Sequence, residues 1–308
     1  MKALTFSRFG GPEVLEVREL PERQPGPGEV RIRVAAATVN PTDLGFRANG
    51  QGANLEPPYI PGMEMAGVVD AAGEGSRWRP GDRVMAIVIP RRPEGGAMAE
   101  SVVVPSDSVA PVPEGASMEQ AATLPMNGLT VRRALDMLAL KPGDTLAVTG
   151  AAGAVGGYAV ELGVAEGLRV IGVASASDEP LLKKLGAEAV VPRGDDAAKQ
   201  IRALVPNGVD GAIDAALLGR AILPAIRDGG GMAVVRGWQG DSERGITIHQ
   251  VRVSDYSQNQ AALDGLGQLA SQGKLTLRVA ETFPPERAAE AHEKMAAGGI
   301  RGRLVIVF

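Results

Sequence analysis

Three glycines, Gly150, Gly153 and Gly156, fall at G-x-x-G-x-x-G spacing in TGAAGAVGGYAV, where the apolar run TLAVTG ends and a second run begins. At a strand-to-helix junction, glycine permits a tight turn, lets the backbone approach a pyrophosphate, and allows the helix to pack closely on the sheet. The helix start beyond it supplies free N–H groups to an anion. Ala152 stands where the G-x-G-x-x-G fingerprint has its second glycine. A turn built for packing alone uses the same glycines. The strand before, the helix after and the repeated β/α rhythm favour a dinucleotide.

Which dinucleotide depends on the end of the next strand, LRVIGVASAS, where a carboxylate would hold a ribose 2′-OH. Here the strand runs out into Ala174, Ser175 and Ser177. Neutral hydroxyls tolerate a 2′-phosphate, so NADPH is expected over NADH. Asp178 and Glu179, followed by Pro180, read as the first turn of the next helix, where negative charge suits the dipole and proline costs little. A helix beginning elsewhere would turn Asp178 toward the ribose and reverse the preference.

The elements that must position these residues follow from the patterning. At 308 residues the chain is longer than one core usually grows, so two domains are expected. The first hundred residues alternate apolar and polar positions in short runs broken by Pro and Gly, such as EVRIRVAAATV and AESVVVP, the pattern of antiparallel β structure. SMEQAATLPMNGLTVRRALDMLAL then reads as helical, and short apolar strands alternate with helices through GGMAVVRG, which implies a doubly wound parallel sheet. LTLRVAETF and GRLVIVF are strand-like again. The expected division is a β domain over 1–122 and 275–308, with a dinucleotide-binding domain over 123–274.

Cysteine is absent, which removes disulfides, thiol nucleophiles and thiolate zinc sites together. Two histidines, His249 and His292, read as surface or helix-face residues. No G-x-S-x-G occurs, so a hydrolase is disfavoured. A net charge of −4 does not suggest the basic face a nucleic-acid partner needs. No apolar run approaches the roughly 18 residues of a membrane span, and MKALTFSRFGG lacks a signal peptide's apolar core, so a cytoplasmic location is expected.

Beyond the glycine loop, MKALTFSRFGGPEVLEV, PGPGEVRIRVAAATVNPTDLGFR, PPYIPGMEMAGVV, ATLPMNGLTVRRAL, KPGDTLAVTGAAGAVG and RGRLVIVF follow one another in a familiar order. On these segments the whole chain resembles the medium-chain dehydrogenase/reductase superfamily, and within it the zinc-independent quinone oxidoreductases related to zeta-crystallin. The resemblance implies an N-terminal antiparallel GroES-like β domain and a Rossmann domain. The zinc-dependent branch has a cysteine where Asn40 begins NPTD, and a histidine where Met63 follows Gly62. The four-cysteine zinc lobe is missing as well. A catalytic zinc needs about three good protein ligands, so metal catalysis is not expected.

The resemblance further implies that Asn40 and Thr130 lie near the nicotinamide and the acceptor, with Ala154 and Val155 under the pyrophosphate. Asn40 is then a donor to a carbonyl oxygen as charge develops there; a turn-forming Asn before Pro41 is the other reading. Ser175 matches the family's 2′-phosphate serine. Asp178 replaces its lysine, and Arg193 falls where its tyrosine would align, a cation able to grip a phosphate or an ordinary solvated arginine. Tyr59 sits where an aromatic lines the substrate, although a core tyrosine fits equally, and QGANLE departs from the family's tyrosine-containing segment. Asp43 and Arg47 read as an i,i+4 ion pair. Arg91 and Arg92 read as solvated, with an anionic thioester substrate as the alternative.

The expected activity is hydride transfer from NADPH to a small-molecule acceptor already electron-poor. A quinone leads; an enone or enoyl-thioester, and a non-catalytic NADPH-binding sensor, remain as alternatives. The resemblance also implies a homodimer, for which GGMAVVRGW and ITIHQVRV are candidate edge strands or ordinary internal ones.

Overall fold

The computed structural model describes residues 1–50 and 55–308. The chain divides into two compact units, Met1–Met126 with Ser257–Gln272 and Leu277–Phe308, and Asn127–Tyr256 with Gly273–Thr276. The first begins with β1 (Lys2–Thr5) paired to β2 (Glu16–Glu19), then β3 (Glu29–Thr38), α1 (Pro41–Asn49), β4 (Glu64–Ala72), β5 (Arg83–Ile87), β6 (Ser101–Pro105) and β7 (Val109–Pro111). On β3, Val30, Ile32 and Val34 are buried and Arg33 is exposed, the alternation that marks one face of an antiparallel sheet turned to a core.

The stretch read as one long helix is two. α2 (Met118–Ala121) starts from Ser117, whose hydroxyl accepts from Gln120 N at 3.2 Å, while Gln120 Oε1 accepts from Ser117 N at 3.0 Å. α3 (Pro125–Leu138) starts afresh at its proline. Proline disfavours helical geometry in the residue before it and suits a helix's first position, which explains the break.

The second unit alternates strand and helix as far as its fourth strand: β8 (Thr145–Thr149), α4 (Ala154–Ala165), β9 (Arg169–Ala174), α5 (Glu179–Lys184), β10 (Ala189–Pro192), α6 (Ala197–Leu204) and β11 (Val209–Asp214). β12 (Ile226–Val234) and β13 (Thr247–Gln250) then follow with no α-helix before either, only a 3-10 turn at Gly219–Ala225 where the sequence rhythm predicted a helix. These strands form one parallel sheet in the order β10-β9-β8-β11-β12-β13, the doubly wound arrangement, with its switch point between β8 and β11. Every residue of β8 is buried, as expected for a strand covered on both faces.

α7 (Gln260–Ser271) belongs to the first unit, where it packs on β7 and Gln260 Nε2 donates to Val109 O at 2.8 Å. β14 (Val279–Phe283), α8 (Ala288–Ala297) and β15 (Arg303–Val307) complete that unit. Its large sheet runs β14-β15-β3-β4-β5-β7, with β6 also on β3. Val30, Ile32, Met65, Met98, Phe283, Leu304 and Ile306 fill its core. Among the described residues, no helix is long and apolar enough to cross a membrane.

Candidate active site

The glycine turn of the second unit is built as its spacing predicts. Gly150 takes a left-handed φ of 60°, and Gly153 begins α4, its N–H donating to Gly150 O at 2.9 Å. A Cβ on Gly156 would stand 2.2 Å from Gly150 O, so only glycine lets the helix press against the turn. Ala154 and Val155 are half-buried in the first turn of α4, beside its unpaired N–H groups. This is a cradle that fits a pyrophosphate.

Ser175 follows β9 directly, and Arg193 follows β10, its N–H donating to Ala174 O at 2.7 Å. The structure therefore brings these two residues to neighbouring carboxyl ends of one sheet, where Arg193 is exposed. Asp178 is buried at the start of α5, with Glu179 and Pro180 in its first turn. Thr130 lies in α3 and is 7% exposed.

Sequence reasoning missed Asp214 at the end of β11. Its carboxylate accepts from Thr149 Oγ1 at 2.5 Å, Leu218 N at 3.0 Å and Gly219 N at 2.8 Å. Thr149 Oγ1 in turn accepts from Ala216 N at 3.0 Å, so the loop after β11 is tied to the strand end feeding the glycine turn. A carboxylate closing the run VDGAID was the available signal.

The first unit holds a buried polar cluster around Asn40. Arg303 on β15 pairs with Glu64 on β4, with the two side chains 4% and 0% exposed. The same guanidinium donates to Asn40 Oδ1 at 2.7 Å and to Thr38 Oγ1. Asn40 Nδ2 donates to Thr38 O at 3.3 Å and to Glu64 Oε1 at 3.5 Å, and Glu64 Oε2 accepts from Met126 N at 2.8 Å. Asn40 has no exposed surface. Its amide faces this cluster, in contrast to the expected donation toward an acceptor.

Asp43 does not pair with Arg47. Its Oδ2 accepts from Asn40 N at 2.8 Å and its Oδ1 from Gly62 N at 2.9 Å, so backbone donors take the carboxylate that spacing assigned to the arginine. Burial pushes this carboxyl up to about 7, although both backbone bonds and Arg303 oppose the shift.

The donor set does not fit zinc. Met63 Sδ accepts from Thr42 Oγ1 at 2.9 Å, the Asn40 amide is committed, and a guanidinium already sits against Glu64. Among the described residues, no group of three His, Cys, Asp or Glu is placed to hold a metal.

Tyr59 stacks on Phe9 with centroids 5.4 Å apart, meets Phe6 and Phe46, and donates from its hydroxyl to Leu55 O at 3.0 Å. It also lines a cavity of about 280 Å³ with Phe46, Pro58, Ile60 and Arg92. Arg92 is not solvated: it donates to Gly95 O at 3.0 Å and Val103 O at 2.7 Å, while Arg91 is exposed. Of QGANLE, residues 51–54 lie outside the described residues. His249 is half-buried on the edge strand β13, and His292 is fully buried on α8, contrary to a surface position.

Residues 26–114 match the family model described as alcohol dehydrogenase GroES-like domain, and residues 185–306 the one described as zinc-binding dehydrogenase. The synaptic vesicle membrane protein VAT-1 homolog of Rattus norvegicus is 38% identical over 221 residues, 70% of this chain and 53% of that protein. The chain thus spans about half the length of that relative. Human quinone oxidoreductase is 28% identical over 330 residues, covering 100% of this chain and 98% of the relative. A solved structure titled as an NAD-dependent alcohol dehydrogenase superposes with a TM-score of 0.89 at 30% identity, covering 100% of both chains.

Proposed function

The chain belongs to the medium-chain dehydrogenase/reductase superfamily, and on that premise we propose that it is an NADPH-dependent, metal-independent reductase of quinones. The observation that carries this reading is the Arg303 guanidinium locked between Glu64 and Asn40. A cation and its hydrogen bonds use up the donors a Lewis-acid metal would need. Without such a metal to stabilise an alkoxide, the natural acceptor is one already electron-poor, and the full-length likeness to human quinone oxidoreductase supports a quinone.

When bound, the nicotinamide supplies a hydride, and the acceptor gains that hydride and a proton. The turn from Gly150 to Gly156 and the start of α4 receive the pyrophosphate through backbone N–H groups. Ser175 and Arg193 receive the 2′-phosphate, the serine as a neutral donor and the arginine as a bidentate cation. Thr130 is assigned to the nicotinamide end by resemblance alone. Asn40, being buried, acts by fixing the start of α1, and Tyr59 acts as an aromatic wall of its cavity. The unit pairs with a second copy through β13, whose outer edge has no strand partner among the described residues.

The deciding measurement is loss of reduced-nicotinamide absorbance with chelator-treated protein, offered NADPH or NADH against quinone and enone panels. NADPH oxidation by quinones is the expected result. Turnover with enones alone reassigns the acceptor to an enone or enoyl-thioester. Binding without any turnover makes the protein a cofactor-binding sensor, and absence of binding removes the reading altogether.

A further inference from the structure

Among the described residues, Arg47 and His292 account for four buried side-chain nitrogens that have no hydrogen-bond partner: Arg47 Nε and Nη1, and both imidazole nitrogens. Arg47 is 6% exposed and His292 fully buried, and the helices that carry them, α1 and α8, pack together. A buried donor without a partner loses its water and gains nothing, which folded proteins rarely tolerate. The guanidinium carries the larger burden, because it stays charged wherever it is placed.

The neighbouring acids do not relieve it. Asp43, one turn earlier, is held by two backbone N–H groups. Glu13 and Glu293 act on Arg47 only from beyond ion-pair distance, and Glu13 Oε1 accepts from Gly11 N at 3.0 Å. Burial, helped by Arg47, makes a proton on His292 costly, so the imidazole is neutral and presents one N–H and one acceptor. A water molecule would satisfy hydrogen bonds here and leave the charge uncompensated. An anion answers both deficits, accepting from Arg47 Nε, Arg47 Nη1 and the imidazole N–H.

We propose that Arg47 and His292 form a binding site for one small inorganic anion of chloride's charge, between α1 and α8. Nothing in the proposed hydride transfer uses either residue, so the site stands apart from that chemistry.

The test uses the whole chain with chloride and bromide as probes. Chlorine-35 line broadening on the wild type is expected to saturate with chloride, to be competed by bromide, and to weaken by about tenfold or more in Arg47→Met, the loss expected for one charge-assisted contact. His292→Leu serves as the second variant, with far-ultraviolet circular dichroism confirming that each folds. A bromide-soaked crystal is expected to show an anomalous peak in contact with Arg47 Nε and Nη1. A water or the Glu13 carboxylate at that place overturns the proposal. So does broadening unchanged in both variants, or bromide seen only at soaking concentration.

Discussion

The Arg303 guanidinium donates to Asn40 Oδ1 at 2.7 Å, so the strand nearest the chain's end fixes the side chain from which α1 starts. Because the same nitrogen is paired to a fully buried Glu64, removing it leaves a carboxylate with its solvation gone and its counter-charge missing. Arg303→Met is expected to lower unfolding free energy by about 3–5 kcal/mol, measured by urea denaturation. Adding Glu64→Gln should recover part of that loss. No recovery would mean that the cluster's hydrogen bonds, and not its charge balance, dominate.

Gly156→Ala places a methyl 2.2 Å from Gly150 O and 2.7 Å from Ala151 Cα, backbone atoms that cannot step aside as a side chain would. The helix must lift or the turn must open, at about 1–3 kcal/mol of stability. NADPH affinity should fall by about tenfold or more. Fluorescence titration beside thermal unfolding reads both, and unchanged affinity would show that the turn serves packing alone.

Arg193→Ala separates the two cofactors. Losing a charge-assisted contact to the 2′-phosphate should weaken NADPH by roughly 10–100-fold while NADH is unaffected. Equal weakening of both dissociation constants would return Arg193 to the solvent.

Two buried titratable groups pull stability in opposite directions with pH. Burial raises Asp43 from 3.8 to about 7, so across that span the folded chain keeps a proton that the unfolded chain has released, and stability falls as pH rises. Burial, helped by Arg47, lowers His292 from 6.5 to about 3, so there the unfolded chain binds the extra proton, and stability rises with pH. At full effect each is worth about 1.4 kcal/mol per pH unit, and from about pH 4 to 6.5 they oppose. Relative to the wild type, Asp43→Asn should gain about 2 kcal/mol between about pH 4.5 and 6, and His292→Leu should lose as much over the same range. Variant profiles parallel to the wild type would refute both assignments.

What could be read from sequence was local. TLAVTG followed by the spaced glycines specifies a strand, a turn and a helix within a few residues of one another, and the structure has each in its place. The cluster around Asn40 could not be read in this way, because Glu64 and Arg303 reach the same point from 24 and 263 residues away. Spacing also misled at Asp43, where i,i+4 geometry suggested Arg47 but backbone N–H groups claimed the carboxylate first. Apolar periodicity marks the buried face of a helix such as α7 without saying which sheet that face meets. Pro125 marks the helix break in the sequence, but helical periodicity on either side of it runs on unbroken and conceals it.

The position of β15 between β14 and β3 sets an order on the chain's assembly during synthesis. The nucleotide-binding unit is nearly continuous in sequence, so its six strands can pair as soon as they leave the ribosome. β3, made much earlier, must wait for β15 before the sheet can close around Thr38 and Asn40. Until then the stretch from Ala36 to Thr38, beyond the part that β6 pairs, presents an unpaired edge beside the Glu64 carboxylate, which has not met its arginine.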